Sequence, residues 1–219
     1  MDKVKLDLSN IQAVIFDLNG TMVDDMTYHK KAWIEFCSRH GLNLTSEEFE
    51  KKFSGRKNSE ILPLILNKPL SQDQIIKYSE DKEQIYREIY AQFIKEVPGL
   101  RNFILKLRAR NYKIAIATTA FEKNRKFILE NLGLENLFNL ILGEEHVIHG
   151  KPDPEIYLKT AEQLGVDPSR CLVFEDSPPG VESGKSAEMK VIGILTTHTK
   201  EDLIGASICI KDFTQLEIN

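Results

Sequence analysis

"VIFDLNGTMVDD", residues 14–25, decides the fold. It begins as a run of β-branched and aromatic residues, ends on Asp17 and turns at once through Gly20 and Thr21. A continuous apolar run bounded by a turn marks a strand buried on both faces. Five similar runs follow: "KIAIATT" (113–119), "NLIL" (139–142), "CLVFED" (171–176), "KVIGIL" (190–195) and "SICI" (207–210). Amphipathic segments at about 98–110, 122–132, 154–164 and 179–187 separate them. Strands alternating with helices predict an α/β fold, a parallel sheet covered on both faces.

The interval between the first two runs carries no convincing strand. It reads instead as helices over 26–40, 46–53, 58–66 and 71–94, with Trp33, Phe36 and Cys37 on one face of the first and Ser71 as N-cap of the last. "EVPGL" at 96–100 returns the chain to the sheet. The expected organisation is a core made of residues 1–24 and 95–219, with an all-helical domain, 25–94, inserted after the first strand. Ligands bind at the carboxyl ends of strands in open α/β sheets, so an insertion there can act as a lid.

Composition narrows the partners. The chain has 219 residues, 42% hydrophobic, with a net charge of −4 and both signs mixed along it. No basic face announces nucleic acid, and no run of 18 apolar residues announces a membrane span. The N-terminus lacks the apolar stretch of a signal peptide, and Cys37, Cys171 and Cys209 show no metal-ligand spacing. A cytoplasmic protein with reduced cysteines is expected, a monomer because no apolar surface stripe is evident.

The strand ends carry the chemistry. Asp17 closes the first run, Thr118 and Thr119 the second, Glu175 and Asp176 the fourth, and Lys151 sits in the proline-stiffened loop "HGKPDPEIY". An aspartate at one strand end can simply cap a turn. Carboxylates at two strand ends around one crevice repel each other unless a cation neutralises them. Oxygen-only ligands with room for phosphate favour Mg²⁺, and Lys151 and Thr118 suit phosphate oxygens as point charge and hydroxyl donor.

"FDLNGTMVDD", "IATTA", "GKPDPEIY" and "VFEDSPPGVESGKSAEMKVIGI" resemble, in order, the four motifs of haloacid dehalogenase superfamily phosphotransferases. The likeness runs from about residue 11 to 200 and is nearest to the subfamily with a small helical cap, which includes β-phosphoglucomutase and phosphoglycolate phosphatase. It implies a Rossmann-like core with a helical cap, and a small phosphorylated metabolite as substrate. It also implies that Asp17 takes up the phosphoryl group, that Thr118 and Lys151 hold the phosphate with Thr119 beside the substrate, and that Asp17, Asp176 and Glu175 bind Mg²⁺ with the backbone carbonyl of Asn19. From the residues themselves, Gly20 lets the loop approach phosphate, Thr21 bonds within the turn and Asp24 fixes the loop.

Asn19 departs from the pattern. In the family this position is normally an aspartate that protonates the leaving group and then activates water or a sugar hydroxyl. An amide cannot exchange a proton in that way, and losing a general acid–base costs about 10²–10⁴ in rate. Asn19 could be an engineered trap, which the intact remaining motifs favour; it could be natural in a slow or repurposed phosphatase; or His29 could supply the proton. A phosphatase is the leading expectation. A sugar phosphomutase and a non-catalytic phosphometabolite binder are the rivals.

In the inserted helices, "YHKKAW" (28–33) resembles the start of the family's cap and brings His29 forward as a substrate contact, or as a partly exposed helix histidine. Gly55 and Arg56, with Lys57, form a loop ahead of a helix where specificity contacts are expected, although a solvated basic pair is the plain alternative. Lys82 aligns with a phosphate-contacting cap lysine, but Glu80, Asp81 and Glu83 around it equally suit a solvated helix face. His40, His146, His149 and His198 show no partner spacing and read as structural or surface residues.

Overall fold

A computed structural model describes residues 3–53 and 56–218. The chain divides into two compact units, Met1–Asp24 with Ile94–Asn219, and Asp25–Phe93.

The larger unit is built on six parallel strands: β2 (Ala13–Phe16), β3 (Lys113–Ala117), β4 (Leu140–Leu142), β5 (Cys171–Glu175), β6 (Lys190–Ile194) and β7 (Ile208–Ile210), in the order β4-β3-β2-β5-β6-β7. All six are the strands read from the sequence. The N-terminal strand β1 (Val4–Leu6) pairs in parallel with the last, β8 (Leu216–Ile218), in a separate two-stranded sheet. The chain enters at β2, winds to one edge through β3 and β4, then returns to place β5 on the other side of β2. That reversal opens a crevice at the carboxyl end of β2, the place where such sheets bind ligands.

Every residue of β2 is fully buried, which is why the run contains no polar alternation. Successive side chains point to opposite faces. Ala13, Ile15, Ala115, Ala117, Val173 and Val191 share one core cluster with Ile156, Tyr157, Ala161 and Val181 from α7 (Glu155–Leu164) and α8 (Pro178–Ser186). On the opposite face, Phe16 and Phe174 stack with centroids 5.1 Å apart, and both meet Phe103 of α5 (Leu100–Ala109) and Phe213. Each such buried ring contributes roughly 1.5–3 kcal/mol. Helix α6 (Glu122–Leu132) follows β3 and ends at Gly133 in the left-handed conformation.

The smaller unit contains α1 (Met26–Arg39), α2 (Ser46–Lys52), α3 (Asn58–Ile65) and α4 (Gln72–Tyr90). Ala32, Trp33, Phe36 and Cys37 form the buried face of α1. Thr45 caps α2 and Ser71 caps α4, each in a reciprocal bond pattern with the residue three further on. The buried face of α4 is polar at its centre: Ser79, Lys82 and Glu83 are buried with Ile85, Tyr86 and Tyr90. No helix among the described residues is long and apolar enough to cross a membrane.

Candidate active site

Four strand ends of the larger unit converge. Asp17 follows β2, and its backbone N–H donates to Phe174 O at 3.0 Å, which aligns it with the end of β5. Thr118 follows β3, tied through its N–H to Leu142 O at 3.1 Å. It is buried and its side chain hydrogen-bonds Asp17. Thr119, one residue on, is exposed.

Lys151 joins the strand ends. Its Nζ lies 2.6 Å from Asp17 Oδ1, 2.6 Å from Glu175 Oε1 and 3.2 Å from Ala117 O. The ammonium also faces the Tyr157 ring at 5.0 Å, and the Tyr157 hydroxyl donates to Glu175 Oε1 at 3.0 Å. The other oxygen of Glu175 accepts from the N–H groups of Asp176 and Ser177 and from the Ser177 hydroxyl, at 3.0–3.1 Å. Both oxygens of Glu175 are therefore engaged by protein donors, and they lock the lysine and the turn into α8.

Asp176 is held differently. Thr21 Oγ1 donates to its Oδ1 at 3.1 Å, and Thr197 Oγ1 donates to its Oδ2. Thr21 makes the bond inside its own turn through its N–H, to Leu18 O at 3.3 Å, and its hydroxyl also reaches across the fold to Asp176. Gly20 sits in the left-handed region at φ 75, and a Cβ there would come within 2.1 Å of Asp176 Oδ2. Only glycine fits both the turn and the approach of this carboxylate. The expectation for Gly20 concerned phosphate access alone, and the contact with Asp176 is an added reason.

Burial pushes the Asp17 carboxyl up to about 7, opposed by Lys151 and reinforced by Glu175. Asp176 is raised well above the carboxylate range by burial, then by Glu175 and Asp17. Lys151 stays protonated: burial opposes its charge, but Asp17 and Glu175 together raise it well above its ordinary value. Asp17, Glu175 and Asp176 bring oxygens within 4.8 Å of one another, the acidic cluster with metal-ligand geometry found among the described residues. Three buried carboxylates against one ammonium leave negative charge that a hard divalent cation would neutralise, so the donor set fits Mg²⁺. Asn19 is partly buried in the same loop and bridges to Val23; Asp24 is exposed.

A sequence profile of the haloacid dehalogenase-like hydrolase family matches residues 14–194, which span Asp17, Thr118, Lys151, Glu175 and Asp176. The chain belongs to the haloacid dehalogenase-like hydrolase family. Among relatives of this hydrolase, a phosphorylated carbohydrates phosphatase of Thermotoga maritima is 31% identical over 193 residues, 88% of each chain. The beta-phosphoglucomutase of Bacillus subtilis is 26% identical over 215 residues, covering 95% of this chain and 92% of its own. Among solved structures, a haloacid dehalogenase hydrolase of family IA, variant 3, from Entamoeba histolytica superposes with a TM-score of 0.88 at 34% identity, covering 94% of this chain and 96% of that one.

The residues expected in the inserted helices of this hydrolase lie in the smaller unit. His29 and Lys82 come together there: Lys82 Nζ is 2.8 Å from His29 Nδ1 and 2.9 Å from Glu83 Oε1. It also faces the Trp33 ring at 5.3 Å. Lys82 is 2% exposed, so the solvated-face reading is overturned: the acidic neighbour Glu83 is buried with it and receives a bond from Asn58 Nδ2 at 2.8 Å. The His29 ring stacks on Tyr86 with centroids 3.8 Å apart. Its Nδ1 accepts from the lysine, so Nε2 carries the proton and faces Asp25 Oδ2 at 3.7 Å. Burial, then Lys82, lowers the His29 pKa to about 3, against a raising influence of Glu83. Arg56 is exposed, and Gly55 lies outside the described residues.

Tyr157, Ser177 and Thr197 were not singled out from the sequence. Tyr157 ends the quoted lysine motif. Thr197 lies in "ILTTH", hydroxyls just past a strand end, the same signal that drew attention to Thr118.

Proposed function

We propose that this hydrolase is a Mg²⁺-dependent phosphatase of small phosphate esters, working through a phosphoryl group carried on Asp17. The supporting observation is the position of Asp17 at the mouth of the central strand, one oxygen held by Lys151, with Asp176 close enough to share a cation. The Thermotoga maritima relative is named as a phosphatase of phosphorylated carbohydrates, which points to that substrate class. The inserted helical unit is assigned the role of cap, with His29, Lys82, Arg56 and Gly55 as its substrate contacts; Thr119 is assigned to the substrate from the core.

Lys151 and Thr118 bind the phosphate oxygens and set the phosphorus in line with Asp17. The Asp17 carboxylate attacks phosphorus, the bond to the ester oxygen breaks, and the departing oxygen takes a proton from solvent because Asn19 has none to exchange. Water then attacks the same phosphorus, the bond to Asp17 breaks, and inorganic phosphate leaves with the carboxylate restored. Asp17 and Asp176, with Glu175 and the Asn19 carbonyl, would hold Mg²⁺, which would supply charge compensation to the phosphate oxygens.

Phosphate release from a panel of sugar and polyol phosphates with Mg²⁺, compared between this chain and Asn19→Asp, tests the reading. A gain of about 10²-fold or more in the aspartate variant is expected. Equal rates would move the proton transfer to another group, His29 first, and inert proteins that still bind phosphate ligands would favour a binder. The mutase reading rests on the Bacillus subtilis likeness and on the buried Lys82 cation. It requires isomerised sugar phosphate, rather than free phosphate, as the main product.

A further inference from the structure

The loop after β6 reaches back over two of the loops that carry the site, those of Gly20 and Asp176. Thr196 Oγ1 donates to Gly20 O. Thr197 Oγ1 contacts Asp176 Oδ2 and lies 3.1 Å from Asp176 O. His198 Nδ1 lies 2.8 Å from Thr197 Oγ1 and 3.0 Å from Asp176 O.

The proton positions follow from the partners. A hydroxyl has one proton to give, and a carboxylate is a stronger acceptor than a carbonyl. Thr197 therefore donates to Oδ2 and keeps its lone pairs for a donor. His198 Nδ1 faces two acceptors, so it carries the ring hydrogen. The result is a directed chain, His198 to Thr197 to Asp176. Thr21 holds the other oxygen, Oδ1, at 3.1 Å. The carboxylate is gripped on both oxygens, its plane is set, and each oxygen keeps a lone pair for a ligand.

We infer that Thr197, backed by His198, is a positioning residue that holds Asp176 in the orientation that binds the divalent cation. This rests on the proposed Mg²⁺ site and adds to it residues from a third loop. Outer partners of metal-binding carboxylates fix ligand geometry, and their loss costs about 10–100-fold in affinity or activity. The hydroxyl, rather than the bulk of the side chain, carries the effect.

The test is Mg²⁺ titration by calorimetry, without substrate, of the full chain and of Thr197→Val, Thr197→Ser, His198→Ala and Asp176→Asn, with thermal unfolding in chelator as a check on folding. Thr197→Val is expected to bind Mg²⁺ about 10–100-fold more weakly, Thr197→Ser close to the parent, and His198→Ala in between. If Thr197→Val does not fold, Thr197→Ala against Thr197→Ser gives the same contrast. Parent-like binding by the valine variant, or equal weakening by serine and valine, overturns the inference while leaving the metal site standing. A parent chain that binds no Mg²⁺, or binds it equally with Asp176→Asn, overturns the metal site and this inference together.

Discussion

At the scale of single residues, Lys151 answers two carboxylates at once, 2.6 Å from each. It has two tasks in the proposed mechanism, neutralising Asp17 between turnovers and meeting the phosphate during one. Lys151→Met removes the charge at similar length. The expected outcome is a loss of about 10²–10³ in kcat, the range for removing one preorganised charge-stabilising donor, with KM raised as phosphate loses a contact. A fall in kcat of less than tenfold would show that the ammonium serves the resting structure alone. In the same proposed mechanism Asn19 acts by what it lacks: it leaves the phosphate grip in place and removes a proton carrier.

At the scale of elements, the six strands of the main sheet were legible because parallel strands buried on both faces are nearly continuous apolar runs. The pair β1 and β8 was less legible: each has three residues, one of them a charge (Lys5 and Glu217). Asp17, Thr118, Glu175 and Asp176 were legible because each ends a strand run. Thr197 and Tyr157 were not, since their partners Asp176 and Glu175 meet them only through the fold. Helix α4 shows the same limit. The charges around Lys82 read locally as a wet surface, yet Lys82 is buried against His29 and Trp33 from α1, and its partner Glu83 accepts a bond from Asn58 of α3. Removing one partner of a buried ion pair strands the other, at a cost of about 3–5 kcal/mol. Lys82→Ala should therefore lower the stability of the helical unit by that order in denaturant unfolding. A loss below about 1 kcal/mol, the worth of an exposed pair, would contradict the buried network.

At the scale of the molecule, the helical unit carries a stability that depends on pH. The folded unit holds His29 near 3 against an ordinary 6.5. Below about pH 6.5 the unfolded chain takes up a proton that the folded unit refuses, so stability falls as pH drops through that window, by up to about 1.4 kcal/mol per pH unit. Burial raises the Glu83 carboxyl, but Lys82 and His29, with a bond from Asn58, outweigh it and bring the pKa to about 2 from 4.5. Its contribution is present above pH 4.5 and is lost on further acidification towards 2. His29→Gln keeps an acceptor for Lys82 and removes the titration, so it should flatten the slope between pH 6 and 4 in thermal unfolding. An unchanged slope would contradict a neutral His29. The central claim concerns Asp17, and acid quench during a single turnover, before the second step completes, with Mg²⁺ and a sugar phosphate tests it most directly. Mass mapping should then find one phosphoryl group on the peptide containing Asp17, retained by the slow second step and absent from Asp17→Asn. Free phosphate released with no adduct on that peptide, or an adduct on another residue, would contradict the account.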